Sequence, residues 1–364
     1  MKTNTILWIF LIAVFANSSL SAQKKLSEMS WSEVVYKQPD SWYGSEQAIS
    51  VAENVLLYQR NIGGWPKNTP IHLPLSETDK EKLLQLKTST DDVTIDNGAT
   101  LLEMIYLSKV YNQTQVENYK TSFLIGLDYI LEAQYENGGW PQFYPLRKGY
   151  YTHITFNDNA IINVLTLLKD ISDRRRKYLF VTDDVVLAKM KQALEKGIDC
   201  ILKTQYLQNG ILTVWCAQHD ENTLLPAKAR AYELPSLSGS ESAGIVDFLM
   251  SLENPSPEII ESVKAAVAWF DKVKITGYKV ENITNSEGKK DRKVIADAAA
   301  PSMWARFYDL ENNRPFFCDR DGIKKYSLDE IGYERRNGYS WYSKSAQKIL
   351  DNNAKWEKKW ITQK

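Results

Sequence analysis

The sequence has little that would hold it together covalently or through a transition metal. Its 364 residues include 3 cysteines and 3 histidines. Cys200, Cys216 and Cys318 allow at most one disulfide, so no cystine framework organises the chain. No CxxC or histidine-rich spacing suggests zinc. There is also no excess charge of either sign, with 45 basic residues set against 45 acidic ones. A balanced chain has no global field to draw nucleic acid or an anionic membrane, and any polyanion must be met by a local cluster. After the first residues no apolar run approaches the roughly 20 positions of a membrane-spanning helix. Long alternating strands are missing as well.

At the amino terminus, Lys2 precedes an apolar run from Ile6 to Phe15 and a small, polar stretch from Ala16 to Ala22. That order reads as a secretory signal peptide occupying residues 1–22. A single domain is expected over residues 23–364, acting as a monomer outside the cytoplasm.

Helical periodicity dominates this remainder. Leu187, Met190, Leu194, Ile198 and Ile201 form one apolar stripe, and Ile259, Val263, Val267 and Phe270 form another. Short β pieces are expected near Ile275 to Val280 and Arg292 to Ile295. A repeat emerges at the helix ends: QRNIGGW ends at Trp65, QYENGGW at Trp140 and QYLQNGILTVW at Trp215. The intervals are 140 − 65 = 75 and 215 − 140 = 75 residues, enough for two helices and their loops. Glycine in the left-handed conformation is expected to stop each helix, and the proline of GGWP to prevent its restart. A ring of helical hairpins, an all-α toroid with its Gly-Trp loops at one end, satisfies this pattern. Trp65 and Trp140 either plug the helix ends or, as their recurrence favours, offer flat surfaces for sugar rings.

Each of the first two Gly-Trp loops is followed by an acidic turn, TIDNGAT at Thr94 to Thr100 and TFNDNA at Thr155 to Ala160. Asp96 and Asp158 suit helix N-caps when taken singly. As a pair on one rim, with Asn97 and Asn159 beside them, they supply the oxygen ligands that calcium takes. The last third is rich in arginine beside proline, glycine and aromatics: Lys228 and Arg230, then Arg306, Arg314 and Arg320, then Arg335 and Arg336. Salt bridges with Glu233, Asp309 and Asp319 are the plain reading. Guanidinium forks clustered beside aromatics also fit a polymer carrying one carboxylate per ring.

GGWPKN, TIDNGAT, GGWPQFYP, VWCAQHDENTLLPAKARAYELPSLSGSES, ARFYDLENNRPFFCDRDG and YERRNGYSWY, in this order, resemble polysaccharide lyase family 10 over nearly the whole chain after residue 22. The resemblance implies an (α/α)3 toroid, polygalacturonate or oligogalacturonate as substrate, calcium (Ca2+) in the active complex and an arginine as Brønsted base. By motif it implies Asp96 and Asp158 as active-centre carboxylates, Arg320 as the base, and Arg230, Arg306 and Arg335 as substrate contacts. Asp96, Asp158 and Asn97 are the candidate calcium ligands, and Lys228 is a further candidate contact. Free arginine is protonated at ordinary pH, so the base assignment needs calcium, neighbouring cations or burial to favour the neutral form.

Three other readings share some of these features. A toroid glycoside hydrolase would use Asp96 and Asp158 as acid and base. The Gln-x-x-x-Gly-Gly-Trp form at Gln134 is similar to repeats of isoprenoid cyclases, against which the export signal and the arginines stand. A non-catalytic uronan-binding protein would bind without cleaving.

Overall fold

The computed structural model describes residues 25–361. The segment read as a signal peptide lies outside them. Eleven α-helices occur in this span: α1 (Trp31–Lys37), α2 (Glu46–Tyr58), α3 (Glu77–Gln85), α4 (Leu101–Thr114), α5 (Glu117–Glu132), α6 (Ala160–Ser172), α7 (Asp184–Thr204), α8 (Glu241–Met250), α9 (Pro257–Val273), α10 (Tyr333–Gly338) and α11 (Ser345–Trp360). No helix among the described residues is long and apolar enough to cross a membrane.

Three hairpins, α4 with α5, α6 with α7 and α8 with α9, stand side by side. The first members pack in the series α4, α6, α8, and the second members in the series α5, α7, α9. Helix α2 packs on the first hairpin and α11 on the last. This is the helix-dominated, toroid-like architecture the 75-residue period implies. The apolar stripes explain it: Met190 and Ile201 of α7, and Val263 and Phe270 of α9, are buried in one continuous core. Ser256 caps α9, with Pro257 at its first position, and Asp183 caps α7 through two backbone N–H groups.

The repeat is structural in detail. Gln59 Nε2 donates to the carbonyls of Gly63 and Ser122, Gln134 Nε2 to those of Gly138 and Ala193, and Gln205 Nε2 to those of Thr213 and Ser262. Each glutamine thereby ties the end of one helix to its own loop and to the neighbouring outer helix. The tryptophans follow suit. Trp65, Trp140 and Trp215 donate Nε1–H to Val55, Ile130 and Ile201 carbonyls at 2.8, 2.8 and 2.7 Å. Trp304 does the same to Phe270, a fourth plug outside the 75-residue period.

Two expectations change here. Trp65 and Trp140 are fully buried, so they plug helix ends and present no face to a sugar. Glycine does not stop the helices either: α2 and α7 end at Gln59 and Gln205 in extended backbone. Gly63 and Gly138 come four residues after Gln59 and Gln134, inside the loops that follow α2 and α5, at φ of 114° and 90°. A Cβ there would lie 2.5 Å from the Ile125 carbonyl oxygen or 2.0 Å from that of Lys196, so these glycines admit close approach of the next helix.

The β structure is short. Tyr278–Thr284 and Lys290–Ala296 pair as an antiparallel hairpin where two strands were expected. A four-stranded antiparallel sheet in the order Lys324–Lys325, Pro315–Cys318, Phe307–Tyr308, Leu237–Ser238 carries the late arginine-rich segments. It rests on a small separate core that includes Phe307, Phe316, Phe317 and Trp341. All three cysteines are buried and free.

Candidate active site

The two acidic turns meet at one end of the hairpins. Each is a single turn of 3-10 helix, Asp96–Gly98 before α4 and Asn157–Asn159 before α6, and the two pack on one another. The backbone shows how they correspond. Asn97 and Asp158 hold the left-handed position, at φ of 54° and 50°, so Asp96 matches Asn157 and Asn97 matches Asp158. At the two matched positions the repeat therefore supplies one carboxylate and one amide, in opposite order. The two carboxylates are offset by one residue.

Asp96 is buried. Its Oδ2 accepts a short bond from Lys67 Nζ and one of 2.6 Å from Gln142 Nε2. Lys67 and Gln142 each stand two residues after a repeat tryptophan, in the GGWPK and GGWPQ motifs. The other oxygen, Oδ1, is buried without a hydrogen-bond partner. Asp158 accepts 2.7 Å from Asn157 Nδ2. Burial raises its pKa above the ordinary carboxylate value; Arg306 opposes this, while Glu241 and Asp96 add to it as like charges.

Arg306 is the arginine that reaches these turns. Its guanidinium donates to Asn157 Oδ1 at 3.1 Å and Glu241 Oε1 at 3.2 Å, and it lies over the Tyr339 ring at 4.5 Å. Burial would lower its pKa, but Glu241, Tyr339, Asp158 and Glu233 together raise it, so it remains a fixed cation.

Three further arginines gather on one ring. The guanidinium carbons of Arg335, Arg230 and Arg320 lie 4.2, 5.4 and 5.7 Å from the centre of Tyr232. Arg335 is buried, with Nε 3.3 Å from Glu334 and two guanidinium nitrogens, Nε and one terminal nitrogen, lacking a hydrogen bond. Arg230 donates Nε–H to Glu233 Oε2 at 2.8 Å, and Tyr339 O–H donates to Oε1 of the same glutamate at 2.7 Å. Arg320 is the most exposed member, its side chain 68% accessible against 47% for Arg230, and it pairs with Glu334 at 3.3 Å. Lys228 is exposed nearby, its charge felt at the buried Cys318 thiol.

The fold thus brings Asp96, Asn97, Asp158 and Arg306 together, and Arg230, Arg320 and Arg335 into a second group. Tyr339, Arg306 and Glu233 connect the two. Sequence reading did not single out Lys67, Gln142, Glu241, Tyr232 or Tyr339. For Lys67 and Gln142 the signal was their shared offset from the tryptophan; for Glu241 it was the Ser-Glu-Ser turn following the third repeat.

The donor set suits a hard cation. One buried, unpartnered carboxylate oxygen stands beside a second carboxylate and amide oxygens, and a cation there would offset the burial and like-charge repulsion that raise the Asp158 pKa. A different group, His153, Asp220 and Glu221, also has ligand atoms within 4.8 Å of one another. Those residues already have partners: His153 Nδ1 lies 3.0 Å from Glu221, and Asp220 accepts from the backbone of Asn222 and Thr223.

A carboxylate pair flanked by Lys67 and Arg306 at one end of stacked helical hairpins, with three more arginines on Tyr232, suits a toroid-class protein that meets an acidic polymer. A model of the pectic acid lyase family matches residues 59–350. A solved family 10 polysaccharide lyase from Cellvibrio cellulosa is 38% identical, with a TM-score of 0.74, covering 89% of this chain and 94% of that one. An aspartate-to-alanine mutant of a family 10 polysaccharide lyase from the same organism, in complex with trigalacturonic acid, is 39% identical, with a TM-score of 0.73 and coverage of 87% and 95%. A comparison with curated protein sequences finds no match. The chain belongs to the pectic acid lyase family and is a polysaccharide lyase.

Proposed function

We propose that this lyase cleaves de-esterified polygalacturonate by calcium-assisted β-elimination, giving oligogalacturonides with a 4,5-double bond. The observation that carries this reading is the juxtaposition of Asp96 and Asp158 with Arg306, backed by the arginine group on Tyr232. The solved relative in complex with trigalacturonic acid supports the substrate class.

In a galacturonate ring the hydrogen on carbon 5 adjoins a carboxylate, whose charge opposes its removal. Asp96, Asp158 and the Asn97 amide would hold calcium, which when bound supplies positive charge to the uronate carboxylate. Arg306, fixed by Glu241 and Asn157, supplies a guanidinium fork to the same kind of group. An arginine of the Tyr232 group takes the carbon-5 proton. The electron pair left behind forms the bond between carbons 4 and 5, the bond from carbon 4 to the glycosidic oxygen breaks, and that oxygen takes a proton from water.

Arg320 is the base implied by motif, and it is the most exposed of the three, held by a single long ion pair to Glu334. Arg230 is its rival by its place on the same ring, although Glu233, Tyr232 and Tyr339 outweigh its desolvation and hold its pKa above the ordinary arginine value, against the neutral form. Arg335 and Lys228 complete the substrate-facing cations in this reading. Export after Ala22 and action as a monomer belong to the same proposal. N-terminal sequencing of the native protein and its sedimentation behaviour test them.

The decisive experiment incubates the protein with polygalacturonate and follows ultraviolet absorbance with and without chelator. A chelator-sensitive rise is expected. Reducing ends formed without that absorbance would instead support hydrolysis by Asp96 and Asp158, and calcium-dependent binding without cleavage would support a uronan-binding protein.

A further inference from the structure

A groove leaves the acidic turns and follows α4 and α6 toward their far ends. It starts at Asn97 and Asp158, passes Leu101, Ile105 and Leu167, encloses about 560 Å3 and ends at Asp170 and Lys177. Those two residues also line a second pocket of about 640 Å3. There Lys109, Arg175, Arg176 and Lys177 face Asp40 and Asp170, four cations against two carboxylates.

The cations are unequally engaged. Asp170 is shared by Lys177 at 3.0 Å and Arg175 at 3.7 Å, and Lys109 donates to the Val35 carbonyl and the Tyr43 hydroxyl. Arg176 is exposed, and among the described residues no ion pair or hydrogen bond engages its guanidinium. Favourable charge at the carboxyl ends of α4 and α6 accounts for one or two of these cations. It does not account for a cavity of this size, nor for its sharing the Asp170–Lys177 wall with a groove that begins at the active turns.

We infer that the far pocket is a distal anchoring site for the carboxylates of a uronate oligomer whose reacting end lies at Asp96 and Asp158. The inference rests on the proposed uronate substrate. The span between the two ends is the length of α4, whose 14 residues rise roughly 20 Å at about 1.5 Å each. Only a chain of several rings bridges it. Guanidinium groups recognise carboxylate by paired hydrogen bonds, and a second attachment raises the effective concentration of substrate at the first without changing the chemistry there.

The test is the exposed double variant Arg175→Ala, Arg176→Ala, first checked for an unchanged melting temperature. On polygalacturonate its KM should rise about five-fold with kcat unchanged, while kinetics on trigalacturonate stay those of the unaltered protein. A double variant with lysine at both positions should recover part of the loss. Equal KM values on the polymer, or equal losses on trimer and polymer, overturn the distal site while leaving the lyase reading intact. If the unaltered protein cleaves no polygalacturonate, the functional reading itself fails. Calorimetry with long and short galacturonate oligomers then decides the pocket: loss of the long oligomer's advantage in the variant upholds it, and no difference overturns it.

Discussion

Arg306 and Glu241 form an ion pair at 3.2 Å with both side chains almost fully enclosed, 12% and 4% accessible. The glutamate begins α8, and the arginine sits between short strands 65 residues later. Together they carry a positive charge to the turn that bears Asp158. The pair is costly to break, because one charge would then stay buried without its partner.

Glu241→Gln keeps the shape and removes the charge. It should lower stability by about 1–3 kcal/mol, measured by urea denaturation, since Arg306 retains a neutral acceptor only. It should also move the acid limb of the activity profile to lower pH. Glu241 is one of the like charges raising the Asp158 pKa, so its loss lets Asp158 ionise more readily. A profile unchanged in position would show that Glu241 acts only as structural support.

The two candidate bases separate in mutant kinetics. A base acts only along the reaction coordinate, whereas a carboxylate clamp also holds the ground state. If Arg320 is the base, Arg320→Ala abolishes turnover with oligogalacturonate binding largely intact, and Arg230→Ala raises KM. The reverse pattern assigns the base to Arg230. Arg306→Ala should weaken binding in either case, because Arg306 is the arginine that reaches the acidic turns. Michaelis kinetics at several pH values, with calorimetry of the inactive variant, read these outcomes. Activity of the unaltered enzyme should rise toward alkaline pH as the neutral guanidine fraction grows.

Asp158→Asn should abolish the chelator-sensitive activity and yet stabilise the protein. The folded-state pKa of Asp158 lies above its unfolded value, so ionisation in the fold is unfavourable. Below the unfolded pKa both states are protonated and the substitution gains nothing. As pH rises, the gain grows until the folded carboxyl is ionised and then stays level. Asparagine also tolerates the left-handed backbone held there. Thermal melts from acid to neutral pH without calcium would show this, and a variant less stable at neutral pH would refute it.

The hairpin order was legible because it is written in periodic patterns: apolar stripes, and a tryptophan loop every 75 residues. The same regularity misled the reading of Trp65 and Trp140. Recurrence alone does not separate a shared ligand surface from a shared plug, and the indole N–H bond to the preceding helix that separates them is tertiary. Asp96 and Asp158 could be found from their turns, but the one-residue offset between them shows only in the backbone angles. The arginines were visible as a cluster. Their division into one at the acidic turns and three on Tyr232 depends on a sheet whose strands lie up to 87 residues apart, from Leu237 to Lys324. No local pattern encodes that pairing.

Glu103 gives a prediction independent of substrate. It lies in the first turn of α4, buried, with Oε1 accepting from Trp31 Nε1 at 2.7 Å and Oε2 without a partner. Burial pushes its carboxyl from 4.5 up to about 7. Since the folded pKa is the higher one, the folded state holds its proton more tightly than the unfolded chain, and stability falls as pH rises from about 4.5 to about 7. Below that window the carboxyl is protonated in both states and costs nothing; above it the penalty is constant. Glu103→Gln preserves an acceptor for Trp31 and cannot ionise. It should therefore match the unaltered protein near pH 4 and exceed it by about 3 kcal/mol above pH 7. Turnover should be unaffected where both proteins are folded, because Glu103 does not line the groove. Urea denaturation across the pH range decides the matter: a gain of equal size at pH 4 and pH 8 would trace the effect to packing and remove the titration argument.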